Sequence, residues 1–171
     1  MTRVALLFAA FALSACSMLG MDSDRGAGAG ATSPDAQMMR DIAQANLAEI
    51  TTGQLALSRA QSPQVRQFAQ HMIDEHTRMQ SEGSAIASAK GMPTPKAPDA
   101  KHQAAAKKLE AMSGEAFDRA YMEQMVKDHQ QTLELVQRAA AQAKDAELRA
   151  HAQKAIPHVQ QHLQMAQSLA R

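Results

Sequence analysis

The stretch Ser62–Met79, which reads SPQVRQFAQHMIDEHTRM, decides the fold. A serine followed by a proline is a typical helix start, because the hydroxyl caps the first turn and proline tolerates the first helical position. His76 lies on the face of this helix that should be buried, and an ionisable ring needs a partner there. The other residues of that face are apolar and recur at helical spacing: Val65, Phe68, Ala69, Met72 and Met79.

The chain from residue 34 onward has the same helical character throughout. Good helix formers such as Ala, Gln, Met, Leu, Glu and Lys dominate it, and no strand-type alternation occurs. Start signals predict four long helices over about 34–60, 63–90, 114–142 and 146–170, and a short helix near 100–112. The predicted N-caps are Ser33, Ser62, Asp99, Ser113 and Asp145.

The connections predict how these helices pack. The first and second long helices are joined tightly, as are the third and fourth, and tight joins make antiparallel neighbours. The proline-rich segment 91–98, GMPTPKAP, cannot be helical and begins a longer crossing. We therefore expect an all-α, antiparallel four-helix bundle with an extra short helix in the connection between helices 2 and 3. Gly53 predicts a close approach between helices, and Pro157 predicts a kink.

Each long helix places one ionisable residue on its apolar face: Glu49, His76, His129 and His162. All four lie near the middle of the bundle when heights are counted at about 1.5 Å per residue from the hairpin ends, so we expect them to converge. One interpretation is a hydrogen-bonded polar network that fixes the register of the helices. The other is a site for one transition metal ion, because neutral imidazoles and a carboxylate suit zinc, iron, copper or manganese. We rank the structural network first.

A di-iron centre of the ferritin type is disfavoured. Such a centre needs a glutamate from two helices and a Glu-x-x-His pair from each of the other two. The residues three positions before the histidines are instead Ile73, Val126 and Val159. The bridging carboxylates are therefore missing.

Two secondary candidates accompany the four core residues. His158 stands one helical turn before His162, a spacing that can bind a metal. Tyr121 can point its hydroxyl into the core, although packing is its expected role. We expect His102 and His151 at the surface.

Methionines offer a different route to copper. The stretch at Met38 and Met39, together with Met122 and Met125, contains thioethers of the kind that bind Cu(I). In a bundle with few aromatic residues, however, methionine more often fills gaps in the core. We therefore rank this site below the histidine cluster.

The first 33 residues precede the helical region. The apolar run VALLFAAFAL (4–13) is too short to span a bilayer and has the form of a secretory signal. It ends in LSAC, which resembles the bacterial lipoprotein box and implies that Cys16 is lipidated. We expect a signal peptide at 1–15, the lipidated cysteine and a flexible linker at 16–33, and the bundle domain at 34–171. Ser17 implies the periplasmic side of the outer membrane, in an organism with two membranes.

Charge and motifs exclude several classes of function. The chain has 18 basic and 17 acidic residues and no basic block or aromatic platform, so nucleic acid is not an expected partner. No G-x-S-x-G motif or phosphate-binding glycine loop is present, and the single cysteine is the expected lipid site. The sequence therefore leans against an enzyme and indicates attachment to a membrane by a lipid anchor. It identifies no protein partner.

Three stretches resemble a known family. NLAEITTGQLALSRAQSPQVRQFAQHMIDEH (46–76), FDRAYMEQMVKDHQQTLELVQRAA (117–140) and IPHVQQHLQMA (156–166) are similar to the ferritin-like "predicted outer membrane protein" family, domain of unknown function 4142. The resemblance covers about 34–169 and implies a periplasm-facing four-helix bundle without an assigned activity. The stretch FDRAYMEQMVKDHQ is also similar to a sister group with a doubled histidine, for which copper handling has been suggested. Here Asp128 replaces the first histidine of that pair.

Two functions therefore stand open. The first is an envelope lipoprotein of unassigned activity, whose bundle serves a structural, interaction or stress role. The second is a protein that binds zinc, iron or copper through the Glu/His cluster in the core.

Overall fold

The computed structural model describes residues 32–171. The predicted signal peptide, Cys16 and most of the predicted linker lie outside the described residues. The helices within the described range are α1 (Pro34–Arg59), α2 (Pro63–Ala89), α3 (Ala100–Glu110), α4 (Gly114–Gln142) and α5 (Ala146–Leu169). No strand occurs between residues 32 and 171, which confirms the all-α class. None of these helices is long and apolar enough to cross a membrane.

The helices begin where the capping residues predict. The side chains of Ser33, Ser62, Asp99 and Asp145 each accept a hydrogen bond from a backbone N–H of the following first turn. Ser113 stands at the N-cap of α4, as predicted, but its side chain makes no such bond. The next residue, a glycine, has a φ of 64°, which turns the chain away from helical geometry directly after the serine.

The helices form two antiparallel hairpins, α1–α2 and α4–α5. The hairpins pack with α1 beside α4 and α2 beside α5, and α3 lies against α1 and α4. The chain therefore crosses the bundle between α2 and α4 and covers the groove between α1 and α4 with the short helix. This confirms the four-helix bundle with an extra helix in its connection.

An aspartate from each hairpin holds the turn of the other. The carboxylate of Asp118 on α4 accepts the backbone N–H groups of residues 61 and 62 at 3.0 and 2.8 Å. The carboxylate of Asp35 on α1 accepts those of residues 144 and 145 at 3.1 and 2.7 Å. The two hairpins are thus fastened to each other at both ends of the bundle.

A pair of arginines completes these turns. Arg66 donates from Nη1 to the carbonyl oxygens of residues 60 and 61, at 2.7 and 2.9 Å. Arg149 makes the same two bonds to residues 143 and 144, both at 2.7 Å. The arginines are separated by the same number of residues as the two aspartates, so the hairpins are approximate repeats of one design.

The core within residues 32–171 consists of two apolar clusters with a polar layer between them. One cluster surrounds Phe68, Phe117 and Tyr121, and the other contains Met39 and Leu148. Along every long helix, buried polar residues fall between the segments that build the two clusters. They are Asn46, Glu49, Thr52, His76, His129, Thr132 and His162, whereas the buried Asp35 and His151 lie outside this layer.

The glycine prediction in α1 is confirmed. A Cβ atom added at Gly53 would lie 2.9 Å from Cγ1 of Ile73 and 3.2 Å from the carbonyl oxygen of Ala69, so α2 approaches here because a side chain is absent. Helix α5 runs on through Pro157. The kink at that residue stays a prediction.

We expect Asp118→Ala to lower the free energy of unfolding by roughly 2 kcal/mol, because two backbone N–H groups lose a charged acceptor. Urea unfolding measures this loss. Asp74→Ala is the matched control, since its carboxylate accepts one bond from Gln70 at the exposed surface and should change stability by about 0.5 kcal/mol or less. Equal losses in the two variants would contradict the role of Asp118.

Candidate metal centre

Three histidines from three helices meet in the polar layer. His76 of α2, His129 of α4 and His162 of α5 are 0%, 1% and 1% exposed. One ring nitrogen from each lies within 4.8 Å of the other two, and the ring centroids are 5.3–5.7 Å apart. Bonds of about 2.0–2.1 Å to one ion require each nitrogen to move inward by roughly 0.7 Å, a small side-chain adjustment. We call these residues the histidine triad.

In two of these rings Nδ1 lies next to an oxygen atom. We call this the outer nitrogen and the other ring nitrogen the inner one. Nδ1 of His129 lies 2.8 Å from the carbonyl oxygen of Met125, which only accepts, so this nitrogen carries the proton. Nδ1 of His76 lies 3.0 Å from Oδ1 of Asn46, and the same assignment places its proton there. Support of the outer nitrogen by an oxygen is the arrangement that orients metal-binding histidines in proteins.

The third ring faces a carboxylate. Nε2 of His162 lies 3.8 Å from Oε2 of Glu75. The ring of His71 packs edge-on against the ring of His162, with centroids 5.4 Å apart. His158, a predicted secondary candidate, lies outside the triad: its Nδ1 is bonded to the same oxygen of Glu75 at 2.9 Å. His158 therefore contacts the carboxylate that faces His162, and it does not join the triad as a fourth member.

The remaining nitrogens of the triad have no hydrogen-bond partner. They are Nε2 of His76, Nε2 of His129 and Nδ1 of His162, all buried. Because the outer nitrogens hold the protons of His76 and His129, these inner nitrogens present lone pairs. A structural network would pair them with donors, and among residues 32–171 none is within reach. The layer therefore presents buried nitrogen lone pairs of the kind that bind a metal ion.

Glu49 does not join the triad as the sequence led us to expect. It is 2% exposed, and its Oε1 lies 3.7 Å from Nδ1 of His129, the nitrogen bonded to the Met125 carbonyl. The carboxyl group thus sits behind this ring and not beside the unpaired Nε2. Helix α1 packs against α4 at this height, so its side chain meets His129 from the outer side. The predicted convergence of four residues is corrected to three, with Glu49 as a neighbour of one.

The surroundings keep the rings neutral. Burial lowers the pKa of His129 to about 4 and, with smaller contributions from neighbouring rings, that of His162 to about 3. Burial and the adjacent histidines also lower the pKa of His76 well below 6.5. Neutral imidazole is the form that binds metal ions, so the triad is competent to bind at neutral pH.

Tyr121, the other secondary candidate, belongs to an apolar cluster. Its ring stacks on Phe117 with centroids 5.7 Å apart and meets Phe68 edge-on at 6.2 Å. Burial and the nearby Glu49 raise the pKa of its hydroxyl well above the ordinary value, so it stays protonated. The structure thus places Tyr121 in a packing role.

The methionines do not form one copper site. Met39 is buried in one apolar cluster, whereas Met122 and Met125 are buried in the other, at the opposite side of the polar layer. Met38 packs against the same cluster as Met39. The four side chains are therefore divided between the two ends of the core, where they pack as apolar core residues.

The predicted surface position of His151 is wrong. We expected it at the surface, but it is 6% exposed, and burial lowers its pKa. The reason lies on the facing helix: a Cβ atom at Gly83 would stand only 3.2 Å from Nε2 of His151. The missing side chain of this glycine makes room for the ring. The burial of His151 depends on the packing of α2 against α5 and therefore could not be predicted from one helix.

Sequence reasoning also missed three supports of the triad: Asn46, His71 and Glu75. Asn46 shares the inward face of α1 with Glu49, so its position was available from the periodicity. His71 is about 140° round the helix from His76, and it reaches the site only because α5 brings His162 to that side. Glu75 on α2 likewise faces His162 only because α2 packs against α5. No signal within one helix indicates such contacts.

The fold and the buried ligand set define a ferritin-like helical bundle with a candidate metal centre. A family model described as "Domain of unknown function (DUF4142)" matches residues 21–169, and the chain belongs to this family. This confirms the resemblance seen in the sequence. No curated protein matches the chain.

Solved structures share the fold at low sequence identity. A DUF305 fragment from Deinococcus radiodurans is 16% identical, with a TM-score of 0.72 over 82% of this chain and 97% of that one. A putative secreted DUF305 protein from Streptomyces coelicolor is 15% identical, with a TM-score of 0.71 over 83% and 92%. The protein CopM in its Cu(II)-bound form is 16% identical, with a TM-score of 0.66 over 80% and 95%. At this level of identity the likeness shows the fold alone.

The Glu49 carboxyl group gives a prediction about pH. Burial and the charge of Asp128 raise its pKa well above 4.5, so the folded state holds a proton that the unfolded chain releases. Stability from this group therefore falls as pH rises from the unfolded pKa towards the folded one. Glutamine does not titrate. We expect Glu49→Gln to gain stability relative to wild type, by about 1.4 kcal/mol per pH unit within that window.

Urea unfolding of the metal-free proteins, with a chelator present, at about pH 5 and about pH 8 measures this difference. The gain of the variant should be larger at the higher pH. A difference between variant and wild type that is the same at both values would show that Glu49 has no raised pKa.

Proposed function

We propose that this protein binds one transition metal ion through His76, His129 and His162. The observation that carries the proposal is the set of three buried, unpartnered ring nitrogens, one from each histidine of a cluster whose ligand atoms lie within 4.8 Å of one another. Three imidazoles without a thiolate suit Cu(II) and Zn(II) first, and iron next. The Cu(II)-bound form of a protein with a similar fold supports copper as the first ion to test.

The surroundings favour holding an ion over catalysis at it. The rings are at most 1% exposed, and their outer nitrogens are supported by oxygen atoms. Catalytic metal sites keep a coordination position open to water or substrate, and the burial of all three rings leaves a substrate no exposed approach to the ion. We therefore propose storage or buffering of the ion, without an enzymatic step.

We also propose that the protein acts in the bacterial envelope as a lipoprotein. The LSAC sequence ending at Cys16 and the serine that follows it support an anchor in the outer membrane, with the bundle on the periplasmic side. The Gly/Ala/Ser-rich linker before α1 supports a domain held close to the membrane. A binder at this location meets ions that enter the periplasm.

The central test is metal binding by residues 17–171, purified without a histidine tag. We expect about one equivalent of Cu(II) or Zn(II), and a stabilisation of about 2.7 kcal/mol when the free ion is at a hundred times its Kd. His76→Gln should abolish both, because it removes one of the three ligands. Elemental analysis and thermal unfolding measure the two effects.

His151→Gln is the matched control for this test. It also removes a buried histidine, but one outside the triad, so stoichiometric binding should persist. Absence of a bound ion in the wild type, or equal binding by His76→Gln, would overturn the proposal. The layer would then be a structural polar core.

The anchor has its own test. In the full chain, Cys16→Ala should abolish lipid attachment and release the protein from the membrane fraction, because the acylated thiol is lost. Metabolic labelling with a fatty acid and membrane fractionation measure this. Ser14→Ala, next to the site, should leave both unchanged. A wild-type protein without label would contradict the proposed anchor.

A further inference from the structure

A cavity lies beside the histidine triad, under the short crossover helix. It has a volume of about 170 Å³ and is enclosed by α1, the start of α3, and α4. Four acidic side chains line it, Asp41, Glu49, Asp99 and Asp128, against two basic groups, Lys101 and His102. An acidic cavity with low-dielectric walls concentrates cations.

Glu49 belongs both to this cavity and to the surroundings of the triad. Its Oε1 lies 3.7 Å from the ring of His129, whereas its Oε2 is buried without a hydrogen-bond partner. Oε1 of Gln44, in the same wall, is likewise buried and unpartnered. Two buried oxygen atoms without a hydrogen-bond partner on the lining of one cavity mark a place where a polar ligand or a cation would gain contacts.

We infer that this cavity is the entrance through which the metal ion reaches the triad, with Glu49, at the outer side of the His129 ring, as the last oxygen-bearing group on the route. The inference rests on the proposed metal binding. A site that is at most 1% exposed needs a route, and here one carboxyl group separates the cavity from a triad residue. Carboxylate and amide oxygens can replace the water molecules that an ion loses as it enters.

The crossover helix forms the outer wall of this entrance. Its N-terminal residues Asp99, Lys101 and His102 line the cavity. Across it, Nζ of Lys101 reaches Oε1 of Gln131 on α4 at 3.2 Å, an exposed bond. Ala106 and Leu109, further along this helix, are buried, so only its first turn, held by such exposed bonds, can move outward without disturbing the core. The extra helix thereby gains a role that a plain four-helix bundle lacks.

The opposite side of the triad is less suited to admit an ion. Glu75 is the carboxylate there, and both of its oxygens are engaged, one by Arg78 at 3.1 Å and the other by His158 at 2.9 Å. The groove that reaches His71 on that side is about 530 Å³ in volume but is lined without a carboxylate. Asp74 on α2 is the matched control: like Asp128 it accepts a hydrogen bond from the glutamine four residues before it, but it is exposed and lies outside the cavity and the triad.

Rapid mixing of the metal-free mature protein with Cu(II) tests the entrance. Quenching of the fluorescence of Tyr121, the single tyrosine, follows the arrival of the ion. We expect Asp128→Asn to load about tenfold more slowly and with a weaker dependence on salt, while still binding one equivalent. The amide preserves the shape of the side chain, so the fold is retained.

Two further variants sharpen the result. Ala45→Leu, which fills the cavity without changing a charge, should also slow loading, whereas Asp74→Asn should load within about twofold of wild type. Loading of Asp128→Asn at the wild-type rate, or an equal slowing in Asp74→Asn, would overturn the entrance and leave metal binding intact. Absence of both Cu(II) and Zn(II) uptake by the wild type would overturn the proposed function itself and the entrance with it.

Discussion

The burial of three neutral imidazoles in one layer is the constraint on which the rest of this bundle depends. An apolar core excludes water, so each ring must find its polar partner within the protein or lose the free energy of solvation. Asn46 and the Met125 carbonyl supply partners for two outer nitrogens, and Glu75 faces the third. These contacts require α1, α2, α4 and α5 to stand at one relative height, and the two apolar clusters then close the core above and below.

The ends of the hairpins maintain that height. Asp35 and Asp118 each fasten the turn of the other hairpin, so neither hairpin can slide along the other without breaking two charged hydrogen bonds. Asn46 and His129 are separated by the same number of residues as these aspartates. They occupy equivalent positions in two repeated hairpins, and α1 carries an amide where α4 carries an imidazole. This explains why α1 supplies a support of the triad and not a fourth histidine.

The helices and the inward histidines were predictable because their causes are local. Serine and aspartate caps define four of the helix starts, and the 3.6-residue period places His76, His129 and His162 on apolar faces. The contacts between helices were not predictable in the same way, because they depend on how far each helix rotates about its axis. Glu49 therefore reached the outer side of its histidine, and His151 became buried against a glycine on another helix.

Asp128 connects the site with the resemblance to the copper-associated sister group. Adjacent residues on a helix point about 100° apart, so the residue before His129 cannot face the triad. The Asp128 carboxylate instead lines the cavity and accepts both amide hydrogens of Gln124, at 2.7 and 2.8 Å. A histidine at this position would change the lining of the cavity while leaving the three histidines of the triad in place. The departure from the doubled-histidine pattern thus changes the cavity and leaves the geometry of the triad unaltered.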